Sequence, residues 1–113
     1  MAAPIRGEVW LIDFDPTKGR EQAGKRPGLV ISTDRFNKSP ADLVVVLPIT
    51  SKHKEIPWHV EVSPPDGGLT MTSFIKIEDV RSVSLERLLK RMGSLRTTTV
   101  DAVEDRLRIL LDL

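Results

Sequence analysis

Short runs of Val, Leu and Ile recur roughly every ten residues along this chain, each stopped by Gly, Pro, Asn or Ser. With 113 residues and room for one modest core, that rhythm points to short strands. "RGEVWLIDFD" (6–15) alternates: Val9, Leu11 and Asp13 point one way, Trp10, Ile12 and Phe14 the other, so both faces are covered. "GLVIS" (28–32) and "DLVVVLPIT" (42–50) read as core strands, and Thr33 between them is placed to cap one helical turn. "WHVEVS" (58–63) puts Trp58, Val60 and Val62 inward, with His59 and Glu61 outward. After the "PPDGG" turn (64–68), "LTMTSFIKIEDV" (69–80) and "RSVS" (81–84) complete the strands. "SLERLLKRMG" (84–93) reads as a helix from Ser84 to Gly93. "TVDAVEDRLRILLDL" (99–113) reads as another, with Val100, Val103, Leu107, Leu110 and Leu111 on one stripe and Asp101 in its first turn. Five or six short strands fit a small barrel better than an open sheet, because closure removes exposed edges. The expected fold is mainly β, one domain over residues 1–113, with a short helix and a C-terminal helix.

One segment does not fit a purely topological role. "DPTKGREQAGKRPGLVIS" (15–32) makes a long polar loop, whereas hairpin loops usually take roughly 2–5 residues. Lys18, Arg20, Lys25 and Arg26 outnumber Asp15 and Glu21 there, a local balance of +2 in a chain of net charge +1. Residues 100–113 carry the opposite bias, Asp101, Glu104, Asp105 and Asp112 against Arg106 and Arg108. So small a net charge argues against coating nucleic acid by brute attraction. No apolar run approaches the ~20 residues of a membrane span, no signal-peptide pattern opens the chain, and the cytoplasm is the expected location. With no cysteine, disulfides and thiolate metal sites are excluded.

Conventional catalytic signatures are missing. His53 and His59 lack metal spacing and read as a loop and a surface residue; Ser32, Ser51 and Ser73 have no Gly-x-Ser-x-Gly setting. What remains is a set of polar residues at strand ends. Pro27 holds Arg26 extended at a strand start, where a guanidinium fork can grip a phosphate bidentately. Thr50 and Ser51 follow "VVVLPI", and each hydroxyl can donate to a phosphoryl oxygen. On residue type alone, Arg26 reads equally as a surface ion-pair residue and Thr50 as a turn former.

Three blocks, in order, resemble the MazF/PemK family of toxin endoribonucleases. They are "RGEVWLIDFDPTKGREQAGKRPGLVIS" (6–32), "LPITS" (47–51) and "SFIKIEDVRSVSLERL" (73–88), and the closing helix is similar as well. The resemblance implies an SH3-like barrel, a homodimer, and cleavage of single-stranded RNA at short motifs without metal or other cofactor. It implies Arg26 and Thr50 as the catalytic pair, from "RP" and "PIT", and places Glu21, Gln22 and Glu78 at the substrate groove. It also implies a cognate antitoxin, expected as an acidic segment that folds across a basic groove. One departure stands out: Asp79 occupies a position where family members commonly carry Gln.

The implied reaction uses the ribose 2′-hydroxyl as internal nucleophile and leaves a cyclic phosphate and a 5′-hydroxyl. Arg26 and Thr50 suit charge stabilisation on the phosphorane, and Arg26 can donate to the leaving oxygen. Glu21 or Glu78 is the expected acceptor of the 2′-hydroxyl proton. Trp10, Phe14 and Trp58 alternate with core positions, so RNA recognition falls to Arg20, Gln22, Ser51 and Lys52. The alternatives are a CcdB-like gyrase-poisoning toxin and a non-catalytic RNA-binding module, both on the same fold.

Overall fold

The computed structural model describes residues 2–15, 19 and 24–113. Its strands are β1 (Glu8–Asp13), β2 (Lys25–Val30), β3 (Leu43–Thr50), β4 (His59–Val62), β5 (Ser73–Lys76), β6 (Arg81–Ser84) and β7 (Leu88–Ser94). The helix α1 (Asp34–Asn37) joins β2 to β3, and α2 (Thr97–Leu111) follows β7. All pairings are antiparallel: β1 with β2 and β7, β3 with β2, β5 and β6, and β4 with β5. β6 runs through one 3-10 turn into β7, so the chain itself connects the two ends of the path β6-β3-β2-β1-β7.

Alternation then sorts side chains into two cores. Trp10, Ile12, Phe14, Val30, Val44, Val46, Val83 and Leu88 fill the barrel interior. Residues one step out of phase, Val9, Leu29, Leu47 and Ile49, face outward and are covered by Val62 and Ile75 of the hairpin and by Val103 of α2. Both faces of β1 are therefore packed, as its pattern predicts. Thr33 caps α1 as expected, its Oγ1 accepting from the Phe36 amide at 3.4 Å.

Residues 88–94 form a strand where the sequence pattern predicts a helix. Leu, Lys, Arg and Met favour helix locally, but propensity is a weak prior that tertiary pairing overrides. β1 needs a second partner to complete the barrel, and two register shifts fit β7 to it. Gly93 is no helix terminus. A Cβ there would lie 2.8 Å from the backbone of Gly67 and Gly68, so glycine is needed for close passage of the 66–68 turn.

α2 begins at Thr97, which puts Asp101 beyond the first turn. Asp66 from the distant turn takes over that role. Its carboxylate accepts from the Arg96 amide at 2.8 Å and from the Thr99 hydroxyl at 2.6 Å, placing negative charge at the positive helix end. Burial alone would push the Asp66 carboxyl up, but these bonds and the Arg96 guanidinium hold it below the usual range. The expected stripe holds at Val100, Val103, Leu107 and Leu110, whereas Leu111 is exposed.

Candidate active site

The cleft that gathers the expected phosphate-binding groups starts from a proline. Pro27 pairs with Leu11 of β1 but has no N–H to extend the ladder toward β3. The β2–β3 pairs accordingly begin only at Gly28↔Pro48. Beyond that point β3 changes partner, Ile49 and Thr50 pairing with Ile75 and Phe74 of β5. Between the parting strands lies a cleft of about 170 Å³, lined by Arg26 and Pro27 on one side and Ile49, Thr50 and Ser51 on the other. Extending the β2–β3 register two residues would set Arg26 across from Thr50. Met71, Ser73 and Met92 also line the cleft. Sequence reasoning missed these three as site residues, because no local signal ties the β4–β5 hairpin or β7 to it.

Arg26 is exposed and Thr50 is buried. The Thr50 Oγ1 accepts from the Lys52 amide at 3.2 Å, which leaves its proton to be donated. That bond turns the chain as it leaves β3, and Lys52 itself is exposed outside the cleft lining.

The neck of the polar loop is tied down at its described ends. The Phe14 amide donates to Gly24 O at 2.9 Å, the Gly24 amide donates to Asp15 Oδ1 at 2.9 Å, and Arg87 donates to the carbonyls of Asp13 and Asp15. Arg20, Glu21 and Gln22, the loop residues expected at the substrate groove, lie outside the described residues.

Glu78 is not among the residues lining the Arg26–Thr50 cleft. It sits in the 3-10 turn after β5, where its Oε2 is 2.9 Å from His59 Nε2. The His59 side chain, expected on an exposed face, is only 4% accessible. It stands opposite Lys76 on β5, next to the turn that carries Glu78. Asp79 lies 2.8 Å from Arg81 and 3.8 Å from Lys76 Nζ, so a carboxylate here balances two cations. A neutral amide would not balance them, which gives a local reason for this departure from the family pattern.

A larger hollow of about 380 Å³ lies beside Ser63, Asp66 and Arg96. Its one carboxylate is already committed to the start of α2, so size does not locate the chemistry. Another buried carboxylate, Glu8, is likewise structural. Burial would raise it, yet bonds from the Ile5 amide, Arg91 and the Trp10 indole hold it below the usual carboxylate range. Among the described residues no three His, Asp or Glu side chains gather as metal ligands, and no helix is long and apolar enough to cross a membrane.

Comparison with known proteins points the same way. The model of a family described as the PemK-like, MazF-like toxin of type II toxin–antitoxin system matches residues 5–111. Endoribonuclease MazF9 of Mycobacterium tuberculosis is 34% identical over 113 residues, 96% of each chain being covered. Endoribonuclease EndoA of Bacillus subtilis is 34% identical over 109 residues, covering 96% of this chain and 94% of its own. The crystal structure of MazF from Deinococcus radiodurans superposes with a TM-score of 0.89 at 25% identity, with 100% of both chains covered. A mycobacterial endoribonuclease solved with its cognate antitoxin shares the fold, with a TM-score of 0.79 at 24% identity, over 100% of this chain and 97% of its own.

Proposed function

This chain belongs to the PemK-like, MazF-like toxin family, and we propose on that footing that it is an endoribonuclease cutting single-stranded RNA at short motifs. The observation that carries the reading is the meeting of Arg26 and Thr50 in one cleft, from strands that part there. A charged fork and a hydroxyl donor on opposite walls suit the equatorial oxygens of a phosphorane. The 2′-hydroxyl attacks phosphorus, the P–O5′ bond breaks, and the products are a 2′,3′-cyclic phosphate and a 5′-hydroxyl. Because the nucleophile belongs to the substrate, the reaction has no need of a metal-activated water. Arg26 stabilises the developing charge and donates to the leaving O5′.

Ser51, Lys52 and the loop residues Arg20, Glu21 and Gln22 contact the RNA on either side of the scissile phosphate. Glu78, bonded to His59 outside the cleft lining, is a further RNA contact in this reading. The protein works in the cytoplasm as a homodimer and is neutralised by a cognate antitoxin.

The test is incubation of the purified protein with a long RNA in EDTA, followed by mapping of the ends. The reading predicts specific cuts that carry cyclic phosphates and slow by about 10²–10³ in Arg26→Ala. Intact RNA together with inhibited gyrase would transfer the assignment to a CcdB-like poison.

A further inference from the structure

The Arg26–Thr50 cleft is polar on one part of its lining and apolar on another. Arg26 is the one charged residue among the described residues that line it, and no carboxylate joins it there. One cation matches one phosphodiester, and a second phosphate or an acidic peptide would find no second cation in the cleft. Thr50 and Ser51 add hydroxyl donors for the same phosphate. The apolar part is made by Pro27, Ile49, Leu69, Met71 and Met92, which come from β2, β3, the turn before β5 and β7. Whatever brings a single negative charge to Arg26 therefore meets an uncharged, apolar surface beside it. A nucleotide has that composition: one phosphate and one neutral base.

The apolar residues differ in how far they are committed elsewhere. Ile49 and Leu69 are buried, and Met92 packs against the same outer core. Met71 lines the cleft yet is 58% accessible. Its backbone is nevertheless held, because the hydroxyl of buried Ser73 donates to the Met71 carbonyl at 2.9 Å. Single-stranded RNA is commonly gripped by stacking its bases on aromatic rings. No Trp or Phe lines this cleft: Trp10, Phe14 and Phe74 are buried, and Trp58 packs on the outer core. Methionine can take the place of a ring. Its polarizable sulfur makes favourable contacts with aromatic systems, and its three rotatable bonds let it follow the face or edge of a base.

We propose that Met71, backed by Met92, is the shelf on which the base of a nucleotide adjoining the scissile phosphate rests, a reading that rests on the ribonuclease function above. The base covers the exposed thioether chain while Arg26 and Thr50 hold the phosphate. Met71 takes no part in the bond changes. It binds and orients the nucleotide, and through the fit of that base it contributes to the choice of cut site.

The experiment uses a short RNA carrying the cut site that end-mapping identifies, and two copies of it. In one copy the nucleotide on the 5′ side of the scissile phosphate is abasic, and in the other the nucleotide on the 3′ side. Both keep the ribose, its 2′-hydroxyl and the phosphate. Wild type, Met71→Ala, Met71→Leu and Arg26→Ala are assayed for KM and kcat, with a thermal melt and the oligomeric state of each measured alongside. On the intact RNA, Met71→Ala should raise KM about 2–10-fold with kcat unchanged. Met71→Leu keeps an apolar chain of similar volume and should recover most of that loss. On one of the two abasic RNAs, Met71→Ala and wild type should have the same KM, because the variant and the abasic substrate remove one contact from its two sides. A Met71→Ala loss that persists in full on both abasic RNAs would overturn the proposal, and so would a fall in oligomeric state that accounts for it. An unchanged KM on the intact RNA while Arg26→Ala is inactive would overturn it too and leave the ribonuclease reading standing. Wild type that cuts no RNA would remove both.

Discussion

The two faces of the β1–β2–β3 sheet are packed by different means. The inner face closes on strands alone, with Ile12, Phe14, Val44 and Val46 meeting across the barrel. The outer face collects a hairpin, a helix and the cleft, and polar groups from distant segments tie these together. Asp66 holds the start of α2, and Arg6 joins Glu104 of α2. Both faces are closely packed, and on the outer face polar bonds between distant segments also fix how the helix sits. The candidate site lies on the second kind of surface, its cleft lined by parts of different elements.

Three substitutions probe that division. Phe14→Ala empties the inner core and removes the ring under the Arg81 guanidinium, 4.8 Å away, so a loss of about 3–5 kcal/mol in urea unfolding is expected. Asp66→Asn, on the outer face, should cost about 1–2 kcal/mol at neutral pH through the weakened start of α2. The Asp66 carboxyl is depressed in the folded state, so its contribution is fully present above the ordinary carboxylate range and fades as pH falls through it. The gap in melting temperature between wild type and Asp66→Asn should therefore narrow in acid. A gap that holds constant down to pH 2 would deny the carboxylate that role. Glu104→Gln is the mildest: the pair with Arg6 is about a third exposed, and less than about 1 kcal/mol should be lost in the same unfolding assay.

The same division explains what could be read from sequence. The alternation in "EVWLIDF" and the β-branched run "VVVLPIT" name inner and outer residues directly, because a strand's period is local. The placement of Arg26 and Thr50 at strand ends was legible through short motifs. Residues 88–94 were not, since their local preference is helical and only the open edge of β1 makes them a strand. Asp66 as the anchor of α2, the enclosure of His59 beside Glu78, and the walls supplied by Met71 and Met92 were equally hidden. Each depends on a contact between segments far apart in the chain, which no window of sequence contains.

The account turns on Arg26 and Thr50 acting on one phosphate as a unit. The most direct measurement is a double-mutant cycle on single-turnover RNA cleavage, using Arg26→Ala, Thr50→Val and the pair together. Groups that serve one transition state are strongly non-additive, so the double variant should be scarcely slower than the slower single variant. Rate losses that multiply in full would show two groups acting independently and contradict the shared cleft as the seat of the chemistry.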